Sequence, residues 1–131
     1  MTYGPDNRPY DALGGEATVQ AIVGEFYDEM DRNPAAATIR ALHPDDLASS
    51  REKLFEILSG WLGGPDLFVQ KHGHPRLRQR HAPFAIGPAE RDQWLACMAV
   101  ALDANAVEGE LRQFLDAQFA HVADFMRNMP G

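Results

Sequence analysis

The sequence predicts an all-α fold in a single domain that spans residues 1–131. Four long segments carry apolar residues at the alternating three- and four-residue spacing that lines one face of an α-helix. Gly and Pro separate these segments, and no segment shows the strict alternation of a half-buried strand. A chain of 131 residues is long enough for one contiguous core and too short for two ordinary domains.

The first long helix is predicted to follow Gly14 and Gly15 and to stop at Asn33 and Pro34. Residues 1–10 are expected to form a poorly ordered extension before it. The apolar face of this helix consists of Val19, Ile22, Val23, Phe26, Tyr27 and Met30.

The second helix is predicted to start after residues 43–46. Either Asp45 and Asp46, or Ser49 together with Glu52, can cap the free N–H groups at its start. Residues 63–65, Gly-Gly-Pro, end it. The third helix begins at Gly87 and Pro88, because Pro suits the first helical position. The apolar stripe of the second helix consists of Leu47, Leu54, Phe55, Leu58, Trp61 and Leu62. That of the third helix consists of Trp94, Leu95, Met98, Ala101 and Leu102. The fourth helix carries Leu111, Phe114, Leu115, Gln118, Phe119, Val122, Phe125 and Met126.

The charge of the chain argues against two classes of partner. Twelve Lys and Arg against 19 Asp and Glu give a formal net charge of -7, which disfavours nucleic acid and anionic membranes. No stretch resembles a signal peptide or a membrane span, so the chain is predicted to be cytoplasmic. The single cysteine, Cys97, lies in an apolar helical pattern and is predicted to be a core residue.

The long connection at residues 66–87 is where chemistry is expected, because connections of that length are usually functional. His81 stands at the end of a short helical stretch that Pro83 stops. A neutral imidazole is a usual axial ligand of haem iron, and Arg78 and Arg80 are placed to pair with its two propionates. A solvated basic loop is the alternative interpretation of the same residues.

Motifs along nearly the whole chain resemble the group II truncated haemoglobins. They are Gly14-Gly15, Phe26-Tyr27, Asp45-Asp46-Leu47, the segment from Trp61 to Pro65, Gly73-His74-Pro75-Arg76-Leu77-Arg78, Arg80-His81-Ala82-Pro83-Phe84, Glu90-Arg91-Asp92 and Trp94. The resemblance implies a two-over-two α-helical sandwich around a non-covalently held haem b, with His81 as the proximal ligand. The lack of a Cys-x-x-Cys-His motif independently argues against covalent attachment.

The same resemblance implies that Tyr27, His43 and Trp94 donate hydrogen bonds to the ligand on the distal side. His43 departs from the commoner family pattern, which has Phe or Tyr at that position. By periodicity alone, Tyr27 and Trp94 would be core residues and His43 a capping or solvated residue. The other predicted haem-pocket residues are Phe26, Ser50, Leu54, Ile57, Leu58, Leu77, Phe84 and Met98, and the predicted propionate-binding residues are Lys53, Arg78 and Arg80.

The function that the resemblance implies is binding of oxygen, CO, NO or similar small ligands at ferrous iron. A haem-dependent peroxidase or an NO-oxidising enzyme is the first alternative, and turnover would require a reductase partner, since no nucleotide-binding fingerprint is present. A helical interaction module without a cofactor is the second alternative. The apolar face of the fourth helix suits either the core or a homodimer interface.

Overall fold

The computed structural model describes residues 8–73 and 86–125. This part of the chain contains α-helices and one 3-10 turn, and it contains no strand, in agreement with the predicted all-α class. The helices are α1 (Pro9–Leu13), α2 (Glu16–Arg32), α3 (Ala37–Ala41), α4 (Ala48–Trp61), α5 (Leu67–His72), α6 (Pro88–Ala104) and α7 (Gly109–Phe125), with the 3-10 turn at Pro34–Ala36.

Helix α2 is the centre of the fold, packing on α6 along one side and on α4 along another. Its residues Val19, Phe26 and Met30 are almost completely buried, as the predicted stripe requires. Helix α7 packs on α6 and adds Leu115 and Phe119 to the same core. The four long helices therefore enclose one apolar interior.

The helix ends follow the predicted signals. Gly14 adopts a φ of 117°, in the left-handed region that L side chains rarely adopt, and it ends α1. The side chain of Asp46 accepts a hydrogen bond from the backbone N–H of Ala48 at 2.9 Å, at the start of α4. Asn33 ends α2, and its side chain accepts a hydrogen bond from the N–H of Ala35.

The prediction of a poorly ordered N-terminal extension is wrong for its last residues. Residues 8–10 are ordered, because Pro9 is buried in α1 and the Tyr10 ring packs against the core. The backbone N–H of Tyr10 donates to the carbonyl of Leu62 at 2.8 Å, and the Tyr10 ring occupies the space that a side chain at Gly64 would need. Within the long connection at residues 66–87, residues Leu67–His72 form α5.

Helix α5 is joined to α4 by a buried carboxylate. Glu56 is only 3% exposed, and its Oε2 lies 2.7 Å from Nζ of Lys71 on α5. Nε2 of His72 lies 3.7 Å from the other carboxylate oxygen. Nearby, the hydroxyl of Ser59 donates to the carbonyl of Pro65 at 2.7 Å and so fixes the turn between the two helices.

Cys97 is a buried core residue, as predicted. Burial raises the pKa of its thiol to about 11, and the charge of Glu29 adds a smaller increase. Since only the thiolate reacts, we expect iodoacetamide to alkylate Cys97 at pH 8 at least about a hundredfold more slowly in the folded protein than in urea. Mass spectrometry of timed samples measures both rates, and equal rates would contradict the buried placement.

No helix in the two described segments is both long enough and apolar enough to cross a membrane.

Candidate functional site

Five rings from four parts of the chain form a connected aromatic cluster. Its members are Phe26 and Tyr27 on α2, His43 in the loop before α4, Trp94 on α6 and Phe119 on α7. The centroid distances are 5.0 Å for Phe26–Tyr27, 5.2 Å for Phe26–Trp94, 5.8 Å for Tyr27–His43 and 5.8 Å for Trp94–Phe119. The tilted and edge-on orientations are those that aromatic pairs favour. The structure thus brings together the three residues predicted to contact a ligand.

Tyr27 is buried, yet its hydroxyl makes no hydrogen bond within residues 8–73 and 86–125. Burial raises the pKa of this phenol far above its ordinary value, and the positive charge of Arg51 opposes that rise by a smaller amount. The phenol therefore keeps its proton throughout the physiological range. A protonated hydroxyl without an acceptor is available to donate to a ligand.

The indole of Trp94 is in a similar situation. Trp94 is half-buried between Phe26 and Phe119, and its N–H has no acceptor in the described part of the chain. Because an indole N–H can only donate, the cluster holds two donors whose acceptors must come from elsewhere.

His43 differs from these two donors. Its Nδ1 lies 2.8 Å from the carbonyl oxygen of Ile39. A carbonyl can only accept, so Nδ1 carries the proton of the neutral ring and Nε2 does not. His43 can donate from Nε2 only when the imidazole is protonated.

The remaining predicted pocket residues fall into two groups. Phe26, Leu58 and Met98 are fully enclosed by protein, whereas Ser50, Leu54 and Ile57 are half-buried along α4 and keep exposed surface. Lys53 is exposed on the same helix. The predicted residues Leu77, Arg78, Arg80, His81 and Phe84 lie outside the described residues.

An apolar cavity of about 640 Å³ lies between the ends of α1 and α4 and one face of α7. This volume is within the range of small-molecule and cofactor pockets, about 300–1,000 Å³. The cavity adjoins the aromatic cluster through Phe119. Its lining consists of Arg8, Pro9, Trp61, Leu62, Gly63, Phe114, Leu115, Gln118, Phe119 and Val122.

An exposed apolar row on α4, which reaches this cavity at Trp61, fits a planar, mostly apolar macrocycle such as haem. Leu54, Ile57 and Trp61 follow one another at helical spacing on α4, and all three retain exposed apolar surface. Trp61 is 41% exposed, which is unusual for a large aromatic residue beside a core. A cofactor placed against this row would cover it.

Sequence reasoning missed Arg51 on α4, whose guanidinium carbon lies 5.8 Å from the centroid of the Tyr27 ring. It also missed the contact of Phe119 with Trp94, because the apolar stripe of α7 predicts only that Phe119 is a core residue. No local sequence pattern marks Arg51, since its two hydrogen bonds and its ring contact all depend on how α2 and α4 cross.

Comparisons with known proteins give one consistent answer. The family described as bacterial-like globin matches residues 8–128. The group 2 truncated haemoglobin YjbI of Bacillus subtilis (strain 168) is 39% identical over 122 residues, which cover 93% of this chain and 89% of that protein. Among solved structures, the group II 2-on-2 haemoglobin of Agrobacterium tumefaciens is 46% identical with a TM-score of 0.89 and 95% of each chain covered. The cold-adapted truncated haemoglobin of Pseudoalteromonas haloplanktis TAC125 is 48% identical with a TM-score of 0.90, covering 94% of this chain and 99% of that one.

These matches confirm the predicted two-over-two arrangement. The chain belongs to the group II truncated haemoglobins, a family of haem globins that hold haem b without a covalent link.

Proposed function

We propose that this protein binds oxygen and related diatomic ligands reversibly at a non-covalently held haem, with Tyr27 and Trp94 stabilising the ligand. The observation that carries the proposal is the pair of donors in the aromatic cluster, neither of which has an acceptor among the described residues. When bound, haem would supply a ferrous iron that takes up such ligands and makes them polar. A donor directed at the ligand then slows its release.

The predicted roles of the other residues complete this arrangement. His81 is the proposed axial ligand, and Arg78, Arg80 and Lys53 are the proposed partners of the propionates. Leu54 and Ile57 are better placed than Leu58 to cover the macrocycle, because they retain exposed surface on α4. Their apolar side chains would exclude water, which strengthens the hydrogen bonds that Tyr27 and Trp94 donate.

The absorption spectrum of the reduced protein, with and without CO, tests this function. We expect a Soret band in the reduced haem-loaded protein and a shift of that band on adding CO, since the shift requires an open coordination position. A protein that retains no haem after reconstitution and gel filtration would overturn the proposal.

The donor role of Tyr27 has its own test. We expect Tyr27→Phe to accelerate oxygen dissociation about ten- to a hundredfold, because a hydrogen bond to a charged acceptor contributes about 1.5–3 kcal/mol. Stopped-flow replacement of oxygen by CO measures the rate. Tyr10→Phe, on α1, is the matched control. An unchanged rate in Tyr27→Phe would remove Tyr27 from the ligand site.

An enzyme on the same scaffold is the second candidate, and the tautomer of His43 favours it. The neutral imidazole that this hydrogen bond implies is the form that acts as a general base, and peroxidase chemistry requires a base that takes a proton from the peroxide. Oxidation of NO is the other reaction proposed for this scaffold. Steady-state assays with peroxide and with NO, comparing wild type with His43→Phe, test this candidate, and turnover no faster than that of free haem would reject it.

We propose three further properties with this function. A reductase partner would return the iron to the ferrous state, the protein would act in the cytoplasm, and a homodimer could use the exposed part of α7. The near-complete coverage of the structural relatives supports one domain over the whole chain.

A further inference from the structure

Arg51 lies at the crossing of α4 with α2 and contacts three residues on one face of α2. Its Nη1 donates to the carbonyl of Gly24 at 3.1 Å, and its Nη2 donates to Oδ1 of Asp28 at 2.8 Å. Its guanidinium carbon lies 5.8 Å from the centroid of the Tyr27 ring. Residues 24, 27 and 28 are spaced by three and four, so all of them lie on the side of α2 that meets α4.

The two hydrogen bonds fix the position of the Arg51 guanidinium. A planar guanidinium bonded at two of its nitrogens has little freedom to rotate. The ring of Tyr27 is also restricted, because the rings of Phe26 and His43 pack against it with centroid distances of 5.0 Å and 5.8 Å. The cation and the ring are therefore held against each other by groups that do not themselves reach the phenol hydroxyl.

We propose that Arg51 is a positioning residue for ligand binding, which acts by fixing the Tyr27 ring and polarising its hydroxyl through a cation–π contact. The inference rests on the proposed role of Tyr27 as a donor to the ligand. A positive charge beside the phenol strengthens its O–H as a hydrogen-bond donor. Loss of that charge should weaken the bond to a polar ligand and speed its release.

A plain structural role for Arg51 makes a different prediction. The Arg51 and Asp28 side chains are 35% and 53% exposed, and ion pairs of that kind contribute little to stability. If Arg51 only joined two helices, its replacement would leave the ligand kinetics unchanged.

The test is a double-mutant cycle on oxygen dissociation from the haem-loaded protein. We expect Arg51→Met to accelerate dissociation about two- to fivefold, the range that a partly exposed cation–π contact allows. The same substitution in the Tyr27→Phe background should have no effect, because the hydroxyl through which it acts is absent. Arg51→Lys keeps the charge but cannot form the same pair of hydrogen bonds. Its dissociation rate should therefore lie between those of the wild type and Arg51→Met.

Arg91→Met is the matched control. Arg91 also joins two helices, since its Nη1 lies 3.0 Å from Oδ1 of Asp124 on α7, and its side chain is 26% exposed. This variant loses a similar ion pair and should keep the wild-type dissociation rate. An Arg51→Met rate equal to wild type, or an equal acceleration with and without Tyr27, would overturn the proposal.

A second measurement does not depend on haem. In the haem-free protein with labelled tyrosine, the ring signals of Tyr27, assigned by comparison with Tyr27→Phe, should shift in Arg51→Met and not in Arg91→Met. Unshifted signals would overturn the proposal. If the wild type forms no CO complex, the proposed function is wrong. If the wild type forms a CO complex but Arg51→Met releases oxygen at the wild-type rate, only the inference about Arg51 is wrong.

Discussion

Replacing His81 with glycine is expected to weaken haem binding strongly. The axial bond is the only proposed link between the protein and the iron, so its loss leaves apolar contacts and propionate pairs alone to retain the cofactor. We expect the haem affinity to fall at least about a hundredfold, since even removal of groups that support a metal ligand costs ten- to a hundredfold. Titration of the haem-free protein with haem, followed at the Soret band, measures the affinity.

The matched control for that substitution is His121→Gly, because His121 is an exposed histidine on α7. It should bind haem as the wild type does. Added imidazole should restore the spectrum of His81→Gly by occupying the vacated axial position. A wild-type spectrum in His81→Gly without imidazole would show that another residue is the ligand.

Replacing Phe26 with alanine is expected to have the largest effect on folding stability. Phe26 is 0% exposed and contacts both Tyr27 and Trp94 through its ring. Removing a buried phenyl group costs about 3–5 kcal/mol, because the cavity that remains adds to the lost transfer free energy. That is a large part of the total of about 5–15 kcal/mol by which domains are stable.

Urea unfolding followed by circular dichroism measures this loss, in the haem-free and haem-loaded forms. Phe26→Leu keeps most of the side-chain volume and should lower the free energy of unfolding much less. Val69→Ala, at a position that is 40% exposed on α5, should leave that free energy nearly unchanged. A loss in Phe26→Ala no greater than that in Val69→Ala would contradict the packing described here.

The long helices could be predicted from the sequence because each carries several turns of apolar residues. Helix α2, for example, shows six stripe positions between Val19 and Met30, and the structure gives Glu16–Arg32. Helices α1, α3 and α5 have only five or six residues, too few to repeat a helical period. They depend on tertiary contacts such as the hydrogen bond from Tyr10 to Leu62, which no local pattern shows.

The candidate site was predictable to a different extent. Tyr27, His43 and Trp94 came from the family resemblance, and the structure adds that their rings form a connected cluster through Phe26. Their periodicity alone indicated core residues. Arg51 could not be found from either source, because a charged residue on an amphipathic helix normally indicates a solvated face.

The contact between Tyr10 and Gly64 has a consequence for how this sequence can vary. The aromatic ring at position 10 and any side chain at position 64 compete for the same volume, although the two positions are distant in the chain. Substitutions at these positions should therefore be epistatic: a larger residue at 64 becomes acceptable only when position 10 becomes smaller. Libraries that diversify this end of the protein should vary the two codons jointly.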